Sequence, residues 1–289
     1  MTGPHDPAVT AATALPAGGV ALVTGASRGI GRAIARRLAA QGAAVVVHAS
    51  PRSQAGLEET VALVRAAGGR AAAVAADLAD AGARAGLLAS AAEPFGPVTV
   101  LVNNAAANPA YAPPSRIDLA ARHAGFEINF HAPVDLCQQA LPAMKAAGWG
   151  RIVNLSSEMA QEPPIPYPGP AKLVHGLALY GAAKAALERY TRGLAAELHG
   201  SGVTANALLP VKIALSESAE AVARQVGASN PHWVEPLEMM AEAAWLLVGG
   251  RYNGLVTSSR AMLQLAQSPL HALDGRTVIG DALSLASFA

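Results

Sequence analysis

A single cysteine in 289 residues, Cys137, excludes an internal disulfide and any cage of cysteine ligands, and makes the reducing cytoplasm the natural compartment. It sits in the apolar helical stretch 134–140 without a local partner for nucleophilic chemistry, and reads as a small buried hydrophobe. The eight histidines show no H-E-x-x-H spacing, so no metal site is expected. Aromatic residues are only 4% of a chain that is 52% hydrophobic, so the core must be built from Ala, Val and Leu. Charged residues, at 14%, fall well below the roughly 25% of ordinary globular chains, which predicts buried helix surface and a homo-oligomer, dimer or tetramer. A net charge of +1 without a basic run interleaved with aromatics gives no reason to expect nucleic acid. No apolar stretch reaches the roughly 20 residues of a membrane span, so no membrane partner is expected. Residues 1–18 have neither a cationic start nor an apolar segment, and Pro4, Pro7 and Pro16 predict a flexible leader there.

What is present is an alternation of apolar runs with helical periods. Strands are expected at 20–23, 43–48, 71–76, 98–102, 150–155, 203–208 and 255–257. Between them, helices are expected after Gly31, from a Ser53 cap to Gly68, over 80–92, over 118–147, over 180–198 and over 235–248. Gly82 and Gly86 weaken the third of these. Such alternation builds βαβ units and a parallel sheet covered on both faces. No linker divides the chain, so a single domain is expected over 19–289.

The first strand runs into Thr24-Gly-Ala-Ser-Arg-Gly-Ile-Gly31, a glycine-rich turn that opens a helix. Gly25 allows the tight turn, Gly29 admits a ligand close to the backbone, and Gly31 lets helix and strand pack closely. The free N–H groups and positive dipole end of the helix then face an anion. Further on come Asn103-Asn-Ala-Ala106, Asn129, Ser156-Ser157 after a strand, and Tyr180-Gly-Ala-Ala-Lys184. This ordered set resembles the short-chain dehydrogenase/reductase family over about residues 19–259, with Tyr-x-x-x-Lys downstream of the serine as its most specific part.

The resemblance implies a Rossmann-type doubly wound fold with a mainly parallel seven-stranded sheet, and hydride transfer between a nicotinamide and a carbonyl or alcohol. Cofactor contacts are implied for Gly25, Ser27, Arg28, Gly29, Ile30 and Gly31, for Asp77 and Leu78, for Asn104 and Ala105, and for Tyr180, Lys184, Pro210 and Ile213. Ala49 stands where an acid would select NAD(H), while Arg28 with Ser50 or Arg52 can receive a 2′-phosphate, so NADP(H) is favoured. Tyr180 and Lys184 project from one face of a helix, and an adjacent ammonium together with an oxidised nicotinamide favours the tyrosinate. Tyr180 is then the acid/base, Ser157 hydrogen-bonds the reacting oxygen, and Asn129 holds a water chain behind Lys184. Two other readings stay open: non-redox proton transfer or dehydration, and non-catalytic sensing of a dinucleotide.

The chain departs from the family at Ala106 and Val211, where the pattern has glycine, and in the 23 positions that separate Ser157 from Tyr180. The extra residues suggest a lid-like insertion over 159–179, its Ile165, Tyr167 and Val174 pointing to a largely apolar substrate. A C-terminal extension is expected over 258–289.

Overall fold

The computed structural model describes residues 15–108, 111–161, 175–211, 213–216 and 233–281. Most of the leader and residues 162–174 of the expected lid lie outside these. The apolar runs form β1 (Val20–Thr24), β2 (Ala44–Ala49), β3 (Arg70–Ala75), β4 (Val100–Asn103), β5 (Gly150–Leu155), β6 (Val203–Leu209) and, after two short strands given below, β9 (Val256–Ser258). They join into one seven-stranded sheet in the order β3-β2-β1-β4-β5-β6-β9, and every pairing is parallel. The order reverses between β1 and β4, which opens a crevice at their carboxyl ends.

Alternation along the strands divides the core in two. Ala21 and Val23 face a cluster with Ile34 and Leu38 of α1 (Gly29–Ala40), Leu57 of α2 (Gln54–Ala66) and Met240 and Leu247. Val20 and Leu22 face a second cluster with Leu136 and Met144, and with Leu194 beyond β5. Trp245 and Tyr252 are the buried aromatic members of the first cluster and the second has none among its buried residues, in keeping with the composition.

Four expected elements differ, three of them before β5 and one after β6. The weak helix is two short ones, α3 (Ala81–Ala85) and α4 (Leu87–Ala92), divided at Gly86, and Asp80 caps the first by accepting from Gly82 N at 2.8 Å. The long helix becomes α5 (Leu119–Phe126), a π turn at Glu127–His131, and α6 (Ala132–Ala146). Ser53 does not cap α2 with its side chain; it ends a 3-10 turn, Pro51–Ser53, that leads into the helix.

Beyond β5 the chain forms α7 (Ala178–Glu197), the short pair β7 (Ile213–Ala214) and β8 (Val234–Glu235), and α8 (Leu237–Gly249). Glu235, expected to start a helix, is therefore in a strand, and Pro236 at the N-cap delays the helix. The C-terminal extension supplies α9 (Ser259–Ala266) and a hairpin, β10 (Leu270–His271) with β11 (Val278–Gly280). Gly275, at the hairpin turn, leaves no room for a Cβ, which would lie 2.5 Å from Arg37 Nη1. Arg37 is buried on α1 and pairs with Glu242 of α8 at 2.7 Å, while His271 Nδ1 stands 3.2 Å from the same carboxylate.

Candidate active site

A cleft of about 670 Å³ runs across the carboxyl ends of the strands. Its centre is the turn after β1. Gly25 and Gly29 take φ values of +65° and +55°, which favour glycine, and a Cβ on Gly31 would lie 2.5 Å from Gly25 O. Asn104 braces this turn, its Nδ2 donating to Thr24 O at 2.8 Å and Gly25 O at 3.1 Å. Thr24 Oγ1 in return accepts from the amides of Asn104 and Ala105, both at 3.0 Å. Arg32 donates to Ser27 O and pairs with Glu59, so the turn is fixed from the outside as well. No side chain caps α1 and its first turn carries no acid, so its leading N–H groups are left for an anionic ligand.

At one end, Ser50, Ser53, Asp77 and Leu78 line the cleft, with the exposed Arg28 at its lip. Asp77 also makes a local turn, Oδ1 accepting from Ala79 N at 3.0 Å. His48 lies beneath. Burial lowers its pKa to about 4, so the ring is neutral, and Nε2, 3.1 Å from Ala76 O, is assigned the proton. Arg52 is exposed on the 3-10 turn and outside the lining.

At the other end lie Ser157, Tyr180 and Lys184, with Pro210 and Ile213 beside them. Tyr180 is in the first turn of α7 and Lys184 one turn later, Nζ standing 5.7 Å from the Tyr180 ring centroid. Lys184 is 1% exposed, and Nζ donates to Leu155 O at 2.6 Å; among the described residues no carboxylate pairs with it. Burial lowers its pKa from 10.5 to about 8. Burial also raises that of Tyr180, against the hydrogen bond to Ser157, which lowers it; the nearby Tyr111 adds to the rise. The tyrosinate anticipated from the sequence is thus disfavoured by the protein alone, because desolvation outweighs the lowering by Ser157.

Asn129 lies outside the cleft lining. Buried in the π turn, it donates from Nδ2 to Ala107 O at 2.6 Å and Gly125 O at 2.8 Å, and accepts from Ala107 N at 3.3 Å. It holds Ala107, which does line the cleft. Lining residues that the sequence reading did not name as site residues include Ser53, Tyr111, Ile128, Ser156 and Ser216. Ser53, Ile128 and Ser156 adjoin residues already singled out and Ser216 stands near the position of the family's Thr, whereas Tyr111 belongs to no motif.

Cys137 is fully buried, with its pKa pushed up to about 12 by burial, so its thiol is inert. No group of His, Cys, Asp and Glu side chains suitable for a metal occurs among the described residues, and none of their helices is long and apolar enough to cross a membrane. The open helix N-terminus, the glycine turn and the length of the cleft fit a nicotinamide dinucleotide, with the phosphates held at residues 25–31 and the nicotinamide end near Tyr180.

Comparisons with known proteins agree. A family profile described as short chain dehydrogenase matches residues 19–226. The short-chain reductase protein NovJ of Streptomyces niveus is 36% identical over 96% of this chain and 97% of its own. Cis-4-hydroxycyclohexanecarboxylate dehydrogenase of Sinomonas cyclohexanicum is 40% identical over 66% of this chain and 72% of its own. A short chain dehydrogenase from Burkholderia cenocepacia, solved in complex with NADP, superposes with a TM-score of 0.71 at 33% identity, covering 83% of this chain and 96% of that one. The chain therefore belongs to the short-chain dehydrogenase/reductase family and is an NAD(P)-dependent oxidoreductase that moves a hydride between nicotinamide and a carbonyl/alcohol pair.

Proposed function

We propose that the enzyme prefers NADP(H) to NAD(H) and acts on a largely apolar carbonyl or alcohol, with Tyr180 as the proton donor and acceptor. The observation that carries this reading is that Ser157 and Tyr180 line the same end of the cleft beside the buried Lys184. When bound, the nicotinamide supplies or takes up the hydride. Tyr180 gives its hydroxyl proton to the carbonyl oxygen, or removes it in the reverse direction, and Ser157 hydrogen-bonds that oxygen and keeps it within reach. Lys184 stabilises the phenolate left behind, which matters more as the site loses water. Asn129 supports this arrangement by fixing Ala107.

The preference for NADP(H) rests on Ala49 in place of an acid and on Arg28, Ser50 and Ser53 at the same end of the cleft. A 2′-phosphate there would gain charge-assisted hydrogen bonds, each worth about 1.5–3 kcal/mol. The NADP carried by the Burkholderia cenocepacia relative supports the same choice. Ala107, Ile128 and Ile213 give the reaction end an apolar wall, which the insertion 159–179 would complete as a lid. A homo-oligomer, dimer or tetramer, in the cytoplasm accords with the low charge and the single cysteine.

The test is to follow NADPH and NADH absorbance over a panel of ketones and alcohols, together with cofactor affinities of Arg28→Ala combined with Ser50→Ala. The double variant is expected to weaken NADPH binding much more than NADH binding. Equal weakening would remove the basis for the preference.

A further inference from the structure

Ser156 and Ser157 leave β5 in succession and serve different partners. Ser157 lines the cleft together with Tyr180, and its Oγ accepts from Met159 N at 3.2 Å. Ser156 is held through its amide, which donates to Leu208 O at 2.7 Å, and through its hydroxyl, which donates to Glu188 Oε1 at 2.6 Å. Glu188 lies two turns beyond Tyr180 on α7, is 6% exposed, and does not line the cleft. Its second oxygen accepts from Gln161 Nε2 at 3.2 Å. One carboxylate therefore grips both ends of the segment that contains Ser157 and the 3-10 turn Glu158–Ala160. The middle of that segment presses on the same helix, since a Cβ on Gly181 would run into Met159 O.

A buried carboxylate met, among the described residues, by neutral donors is costly to fold, and an apolar pair would fill the space more cheaply. We propose that Glu188 is a positioning residue, clamping the Ser156–Gln161 segment to α7 so that the Ser157 hydroxyl is held at the hydroxyl of Tyr180. This rests on the assignment of Ser157 and Tyr180 as the groups that meet the substrate oxygen.

The test compares Glu188→Ala and Glu188→Gln, each with and without Ser157→Ala, using two readouts. The first is NADPH oxidation with acetophenone and its ring-substituted analogues. The second needs no turnover: fluorotyrosine at position 180 reports protonation of that phenol by its fluorine resonance. Glu188→Ala is expected to lower kcat about 100-fold with KM for NADPH unchanged, the scale on which small misplacements of reacting groups act. It should also raise the Tyr180 titration, because the Ser157 hydrogen bond that lowers it is lost. Glu188→Gln, which can donate to Ser156 and accept from Gln161, should restore both readouts. With Ser157→Ala already in place, Glu188→Ala should cost less than about twofold more, since interacting residues are not additive.

A folded Glu188→Ala enzyme with native kcat and native titration overturns the proposal, as do additive losses in the cycle. If the parent enzyme oxidises NADPH with none of these ketones, the reading of the reaction is what fails, and the titration alone decides the clamp: a shift in Ala but not in Gln supports it, and no shift overturns it. Should Glu188→Ala fail to fold, Ser156→Ala removes one grip and carries the same expectations in smaller measure.

Discussion

Two buried cations lie on opposite faces of the sheet, and the protein treats them in opposite ways. Arg37, 2% exposed, meets Glu242 through two hydrogen bonds of 2.7 and 3.1 Å, stacks over Trp245 at 5.6 Å and is closed over by the hairpin turn at Gly275. Lys184, 1% exposed, has among the described residues a backbone carbonyl and, 5.7 Å away, the ring of a reactive phenol. A paired charge serves stability; a charge left without a counter-ion is kept for a ligand that supplies the missing interaction.

The sharpest way to break the comparison is at the reactive phenol itself. Tyr180→Phe keeps the ring and its packing, so cofactor affinity should hold while kcat falls roughly a hundred- to ten-thousand-fold, as steady-state kinetics and cofactor titration would show. Near-native turnover would remove the acid/base assignment.

On the other face, Glu242→Ala leaves Arg37 buried and unpaired. Denaturant unfolding should show a loss of about 3–5 kcal/mol, with kcat per folded molecule unchanged.

Lys184→Met should do the reverse, abolishing turnover while stabilising the fold. Because the folded value of Lys184 lies below its unfolded one, the folded protein binds fewer protons between pH 8 and 10.5, and stability is lost as pH falls through that window. The parent protein thus carries a cost of up to about 3 kcal/mol at neutral pH that Met would remove, less the hydrogen bond to Leu155 O. Equal or lower stability of the variant would mean that the charge is compensated after all.

A third buried group sharpens the contrast on the acidic side. Glu235 receives the Ser259 hydroxyl at 2.7 Å, yet burial raises its pKa from 4.5 to about 7. The folded protein binds the extra proton between those values, so stability should decline as pH rises from 4.5 to 7 and level off above. Glu235→Gln should flatten that part of the stability curve; a curve unchanged by the substitution would rule out this linkage.

The alternation of apolar runs and the order of the motifs made the sheet and the reaction end of the cleft legible, because both depend on spacing along the chain. What stayed hidden depends on distance through space. The π turn around Asn129 exists because its amide serves Ala107 as well as Gly125, and no helical period encodes a partner 22 positions away. Arg37 and Glu242 are 205 positions apart, and each alone reads as a surface charge on an amphipathic helix. Glu188 reads in the same way, and only the return of β5 alongside α7 gives it Ser156. Arg52 is exposed on the 3-10 turn and absent from the lining, while Ser50 and Ser53 on either side of it line the cleft.

The closure of Arg37 also bears on when the chain can fold. Helix α1 begins at the glycine turn, near the start of the sequence, but its buried guanidinium acquires a counter-ion only when residue 242 arrives and its cover only with Gly275. Contacts of such sequence separation form late and slow folding. During synthesis the first half of the sheet would expose both its apolar face and an unpaired cation until residues 242 and 275 have left the ribosome. Assembly of the helix that carries the phosphate-binding turn is thereby tied to a residue 205 positions later, and a chain truncated before residue 242 would lack a completed cofactor site even though every residue lining its glycine turn is present.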